Sequence, residues 1–358
     1  MRIIQLLPTF SVGDAIGNEA LAVNQMLLDL GYKSLIGAAN VNMRNGRKMN
    51  RMIKIISSAE ELYGNDIIIY HFSIGHPMNQ MLKYCRGKKI LRYHNITPPE
   101  FFEGYDWIAY DSCRAGYEQM AELREDIDLC IADSEFNARD LRKAGYSCPV
   151  RVLPILLSMK EYGQKPVWKL LKQYRNHGTN ILFTGRVVPN KKQENLIDVF
   201  YYYKKYMNPH ARLILAGNVD KTGLYYRDLC KYIERLELKD VVFTGYLDFK
   251  ELIACYCLAD LFLCMSQHEG FCVPLVEAMI YHIPVIAYNQ AAVGETMGHA
   301  GILLEDNDPL VAAELTHMVM QNKELRNDLI QGEQERLEYF EENRIKKKFL
   351  QYIQELMG

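Results

Sequence analysis

Glu269 and Glu277 stand with seven residues between them in the stretch His268-Glu269-Gly270-Phe271-Cys272-Val273-Pro274-Leu275-Val276-Glu277-Ala278-Met279. The pattern predicts a helix from Pro274, because a proline in the first turn gives up an N–H that would have had no partner. The N–H groups of such a turn, with the positive end of the helix dipole, make an anion site. Carboxylates are poor ligands for phosphate and good acceptors for hydroxyls. A helix start flanked by Glu269 and Glu277 therefore suits a ligand that carries both phosphate and several hydroxyls, as a nucleotide sugar does.

A strand and an elbow must position these groups. Asp260-Leu261-Phe262-Leu263-Cys264 reads as a buried strand and Met265-Ser266-Gln267-His268 as a polar elbow. Further strands are expected at 2–7, 33–37, 66–72, 89–94 and 130–133, and at 180–185, 211–216, 240–244, 284–288 and 301–304. Ser134 is placed to cap the helix after the strand 130–133. Strands alternating with helices imply α/β architecture with parallel, doubly wound sheets. Such sheets bind ligands beyond the carboxyl ends of their strands. Residues 161–178, with Gly163, Pro166 and Gly178, read as the connection between a domain over 1–160 and a second over 179–341, with a last helix over about 342–357.

Composition narrows the class. A chain of 358 residues suits two domains, and 49% hydrophobic with 24% charged residues excludes a disordered one. A formal charge of −2 argues against a general nucleic-acid binder. Nine cysteines without a C-x-x-C pair suggest neither a zinc site nor a disulfide framework, and a reducing compartment. The N-terminus enters a strand at once, leaving no room for a signal peptide. With no apolar run of the ~20 residues a bilayer demands, a soluble, cytoplasmic protein is expected. The segment 42–54 holds Arg44, Arg47, Lys48, Arg51 and Lys54 without an acid. It reads either as a contact for an anionic acceptor or lipid headgroups at the inner membrane surface, or as a solvated face.

The stretch 268–279, following its hydrophobic strand, resembles the E-x7-E signature of retaining GT-B glycosyltransferases, in particular glycosyltransferase family 4. Gly185-Arg186-Val187-Val188-Pro189-Asn190-Lys191 resembles that family's donor-phosphate element. The resemblance implies two facing Rossmann-like domains, the last helix returning to the first. It implies transfer of a hexose from a UDP- or GDP-sugar to a saccharide or lipid-linked hydroxyl acceptor, by front-face displacement with no cofactor and no metal. Arg186 and Lys191 would meet the diphosphate, Glu277 the ribose and Glu269 the sugar hydroxyls. Gly270, Phe271, Cys272 and Val273 would offer backbone groups. Gly185 closes the phosphate strand, Gly13 lies in the first loop, Tyr246 lies near the base and His94 near the transferred sugar.

Blander readings stand beside these. His94 ends a strand and also fits a structural role, with His71 and His76 as rivals. The loop Gly13-Asp14-Ala15-Ile16-Gly17 lacks the adjacent glycines frequent in the family, and Gly13 is its better match. Ala291-Ala292 replace a glycine pair before Glu295, and Cys272 stands where glycine is common. From that cysteine, the position is expected to need no glycine-only backbone. Asp126-Ile127-Asp128 spells D-x-D but straddles a helix end and a strand start, and reads as structural. Other functions on the same fold are a sugar-nucleotide epimerase and a non-catalytic nucleotide-sugar binding protein. The joint presence of Arg186, Lys191, Glu269 and Glu277 argues against the latter.

Overall fold

The computed structural model describes residues 1–11, 13–42, 53–56, 58–174 and 178–357. The chain divides into two units, Met1–Glu100 with Ile108–Ser158 and Phe340–Gly358, and Phe101–Trp107 with Met159–Tyr339. Each is a parallel-sheet, Rossmann-like α/β domain.

The first unit holds β1 (Ile3–Ser11), β2 (Ser34–Asn42), β3 (Ile53–Ile55), β4 (Ile67–Phe72), β5 (Lys88–Tyr93), β6 (Leu129–Ala132) and β7 (Val150–Val152). Their spatial order is β3-β2-β1-β4-β5-β6-β7, every pair parallel. All six residues of β4 are buried, as an interior strand covered on both faces requires. The sequence ended β1 at Leu7, whereas it runs to Ser11. Its register with β4 stops at Leu6, and beyond that β1 pairs with β2 alone. Pro8 is tolerated there because one side of the strand needs no donor. The sequence suggests the next helix from about Asn18; it is Ala15–Asp29, and it starts earlier because Asp14 caps it, accepting from the Gly17 N–H at 2.6 Å. Ser134 likewise caps Glu135–Lys143. Residues 43–52 of the basic segment lie outside the described residues.

The second unit holds β8 (Asn180–Thr184), β9 (Arg212–Ala216), β10 (Val241–Gly245), β11 (Leu261–Cys264), β12 (Val285–Tyr288) and β13 (Ile302–Leu304). Their order is β10-β9-β8-β11-β12-β13, again all parallel. The chain winds outward from β8 in one direction, then returns and winds in the other from β11. The gap between the carboxyl ends of β8 and β11 is therefore the topological switch point of this sheet. Part of the stretch 161–178 is helical, at Trp168–Tyr174, and a short helix at Met159–Tyr162 runs into it. Both helices count with the second unit.

Candidate active site

The loops that leave β8 and β11 are tied together at the switch point. Asn190, in the short helix Pro189–Lys191, donates from its side chain to the His268 carbonyl at 3.1 Å and accepts from the Gln267 N–H at 3.0 Å. That clamp sets the next residue, Lys191, against Glu269, with Nζ 2.5 Å from Oε2. Both side chains are largely buried, at 19% and 8% exposure. An ion pair so placed keeps more of its strength than a surface pair. Arg186 is exposed, and among the described residues no acidic group pairs with it. Its backbone carbonyl accepts from Gln193 Nε2 at 2.9 Å, which fixes the loop but leaves the guanidinium to solvent. Gly185 and Gly217 pass so closely that a Cβ on Gly217 would lie 2.0 Å from the Gly185 carbonyl oxygen.

The helix after Glu269 is Val273–Ile280, one residue earlier than expected from Pro274. Its cap, Cys272, has φ 69 and ψ 66. This corrects the expectation drawn from the cysteine. The elbow turns into the helix so sharply that the position takes the left-handed conformation that favours glycine, and a side chain there costs about 1–2 kcal/mol. Cys272, Val273 and Phe271 are buried and Gly270 is half-buried. Ala292 donates its N–H to the Glu269 carbonyl at 3.2 Å, bringing the replaced glycine pair against the same elbow.

Glu277 is 7% exposed. The hydroxyls of Tyr256 and Tyr162 donate to its two oxygens at 2.5 and 3.0 Å. Burial pushes its carboxyl above the usual range, and the two tyrosine hydrogen bonds oppose that shift. Tyr256 also contacts Thr184 Oγ1 at 2.7 Å, at the end of β8, and stacks on Tyr281 at 5.3 Å. Tyr246 follows β10 and is partly exposed.

In the first unit, His94 follows β5 inside a buried polar chain. Its Nδ1 faces Asp133 Oδ2 at 2.9 Å, and its Nε2 faces His71 Nδ1 at 2.8 Å. His71 Nε2 reaches Gln5 Oε1 at 3.0 Å, and Gln5 donates to the Ala20 carbonyl. Arg92, fully buried in β5, pairs with Glu19 at 2.7 Å and lies 2.8 Å from Asp133. Burial alone would raise the Glu19 carboxyl, but Arg92 and His94 outweigh it and bring it to about 2. Burial and the neighbouring His94 hold His71 well below the usual histidine range. The His94 side chain is only 3% exposed, and both ring nitrogens have protein partners. Gly13 has φ 87 in the loop after β1, and His76 caps a short helix. Asp128 is committed to the start of β5, accepting from the Lys89 N–H at 2.8 Å and pairing with Lys88 at 2.9 Å.

The second unit thus brings Lys191, Glu269, Cys272 and the start of the helix Val273–Ile280 together, with Glu277 reached through Tyr256 and Thr184. Sequence reading missed Asn190, Tyr162, Tyr256, and the Glu19–Arg92–Asp133 group around His94. Arg92 offered a signal, a charge inside the apolar run Ile90-Leu91-Arg92-Tyr93. The tyrosines offered none, since they act through partners far along the chain.

Residues 172–336 match the family model described as Glycosyl transferases group 1. The chain is 28% identical over 200 residues to a 41.2 kDa protein from a cps region of Klebsiella pneumoniae, covering 54% of this chain and 52% of that one. It is 28% identical over 245 residues to O-antigen chain mannosyltransferase B of Escherichia coli, covering 67% of this chain and 63% of that one. The chain therefore spans between about half and two thirds of the length of these relatives. The crystal structure of Anabaena HepE in complex with UDP-glucose matches with a TM-score of 0.76 at 17% identity, covering 99% of this chain and 100% of that one. Among the described residues, no helix is long and apolar enough to cross a membrane. The two parallel-sheet domains give the chain the GT-B fold, and the match to the group 1 glycosyltransferases lies over its second domain.

Proposed function

We propose that this protein is a glycosyltransferase of the family 4 type, which moves a hexose from a nucleotide diphosphate sugar to a hydroxyl of a saccharide or lipid-linked acceptor with retention of configuration. The carrying observation is the Lys191–Glu269 pair at the β8/β11 switch point, inside the region that matches the group 1 model. UDP-glucose in the Anabaena neighbour supports a nucleotide-sugar donor, UDP- or GDP-linked, and the mannosyltransferase relative supports a saccharide acceptor.

The donor diphosphate lies against the first turn of Val273–Ile280, where the positive helix end and backbone groups of Gly270, Phe271, Cys272 and Val273 favour an anion. Arg186, exposed and without an acidic partner among the described residues, grips phosphate oxygens in a fork. Lys191 turns from Glu269 to the phosphate, which frees Glu269 to accept from sugar hydroxyls. Negative charge on the leaving phosphate grows as the glycosidic bond breaks, so both cations stabilise the transition state more than the ground state. The phosphate itself receives the acceptor's proton in a front-face displacement, with no enzymic nucleophile and no metal. Glu277 takes the ribose, Tyr246 lies near the base, Gly13 is a donor-binding residue and His94 a catalytic one. The protein works in the cytoplasm, and the segment 42–54 is either a solvated face or a contact for an anionic acceptor or the inner membrane surface.

Arg186→Ala and Lys191→Ala test this reading. Each should fold normally, bind the bare nucleoside nearly as well as the parent, and lose turnover by about 10²–10³-fold. Arg186→Lys should recover only part, since lysine lacks the fork. Near-full turnover of either alanine variant at saturating donor would remove that residue from the leaving-group role.

A further inference from the structure

Among the described residues, two clusters bring metal-ligating atoms within 4.8 Å of one another, Glu19 with His71 and His94, and Cys264 with Glu269 and Cys272. The first is fully committed. Its imidazoles face each other, and their outer nitrogens face Gln5 and Asp133. No ring nitrogen is left for an ion.

The second cluster is different. Cys264 ends β11 and Cys272 caps the helix Val273–Ile280, so both sulfurs are carried on rigid backbone at the two ends of the elbow. Cys264, Glu269 and Cys272 are 0%, 7% and 5% exposed, which shields the cluster from bulk water. Cys272 holds a left-handed backbone that glycine would hold without strain. Strain of this kind persists only where the surrounding structure over-determines it, and it clusters at functional sites. Its sulfur is directed at the other thiol and at the Glu269 carboxylate. Among the described residues, Lys191 is the one donor that carboxylate has, on Oε2.

We propose that Cys264, Cys272 and Glu269 form a binding site for a borderline-soft divalent cation, zinc, at the elbow of the second sheet. Zinc lies about 2.3 Å from thiolate sulfur and about 2.0–2.2 Å from carboxylate oxygen. A tetrahedral ion therefore needs its ligand atoms a little under 4 Å apart, within reach of small side-chain rotations here. Two sulfurs select zinc over magnesium or calcium, which take oxygen ligands. Three protein ligands leave a fourth position for water. Binding replaces the two thiol protons, which pass to solvent, so affinity rises with pH. A bound ion takes the Glu269 carboxylate that Lys191 now holds. It withholds that carboxylate from the sugar hydroxyls and so inhibits donor use, a consequence that rests on the function proposed above, whereas the binding itself does not.

The test uses the full chain, reduced and freed of metal, titrated with zinc alone by equilibrium dialysis. One ion per chain is expected, unaffected by excess magnesium, with cobalt in its place giving thiolate-to-metal absorption in the near ultraviolet. Cys272→Gly suits the left-handed backbone and should fold at least as stably as the parent, yet bind zinc more weakly by at least about 10–100-fold. Cys264→Ser should weaken binding similarly. Among the described residues, another close thiol pair, Cys130 and Cys148 at 3.6 Å, has no third ligand in such a cluster, and Cys148→Ser should change nothing. No binding by the parent, or full binding by Cys272→Gly, overturns the site. Zinc that binds here without lowering donor affinity leaves the site standing and removes Glu269 from the donor.

Discussion

At Glu277 the donor reading meets an occupied carboxylate. Tyr162 and Tyr256 each take one oxygen, and a carboxylate offers about four acceptor positions, so two remain for ribose hydroxyls. Glu277→Ala should weaken binding of the bare nucleoside diphosphate by about 1.5–3 kcal/mol, measured by calorimetry with UDP and GDP in turn. Glu277→Gln, which keeps one acceptor oxygen for the tyrosines, should fall between. If neither variant changed the affinity of either nucleotide, the ribose would have to sit elsewhere. The sequence pointed to this residue because E-x7-E spans a single strand–helix unit and so survives as local spacing. It could not point to Tyr162 or Tyr256, which lie 115 and 21 residues away and meet Glu277 only once the sheet has formed. His94 was visible as a strand-end residue. The chain Gln5–His71–His94–Asp133 was not, because it draws on β1, β4, β5 and the turn after β6.

Strands were the readable elements, since interior parallel strands are short apolar runs between turn residues, and β4 and β11 show it plainly. Ends were read less well wherever a cap or a neighbour decides them, as Asp14 does for Ala15–Asp29. One element carries a pH prediction. The helix Lys323–Leu337 aims Glu333 at β12, where Oε1 accepts from the Val285 N–H at 2.8 Å. The residue is 0% exposed and Oε2 has no partner among the described residues. Burial pushes its carboxyl up to about 8 from an ordinary 4.5. The folded state therefore holds this proton more tightly than the unfolded state. The stabilisation is fully present below the ordinary value and is lost as pH rises through about 8. Melting temperatures between pH 5 and pH 9 (on the order of the window set by this shift) should fall more steeply for the parent than for Glu333→Gln, which keeps the acceptor and cannot ionise. Parallel profiles for the two proteins would mean that Glu333 does not titrate in this range.

On the scale of the whole molecule, the positive charge proposed for the donor site comes from Arg186, Lys191 and a helix start, so transfer should persist in excess chelator. Activity abolished by chelator and restored by manganese would contradict this and return Asp126 and Asp128 to consideration. The path of the chain supplies a second test. It leaves the first unit after Ser158, builds the second, and returns at Phe340 to give the first unit its last helix, Glu342–Met357. Ile345, Phe349 and Ile353 of that helix, 2%, 3% and 0% exposed, join Ile3, Leu27, Ile69 and Ile131 in one core. Burying three such side chains contributes about 5–9 kcal/mol, comparable with the whole stability of a typical domain at about 5–15 kcal/mol. A chain ended after Tyr339 should therefore lose the first unit. Hydrogen exchange should show protection gone from β1, β4 and β5. It should persist in β8 and β11, whose buried core contains no residue of that helix. Such a chain should still bind nucleoside diphosphate and should not transfer sugar. Phe349→Ala in the full chain should show the same loss in milder form, by about 3–5 kcal/mol. Undiminished protection in β1 and β4 of the shortened chain would mean that the first unit folds without its returning helix.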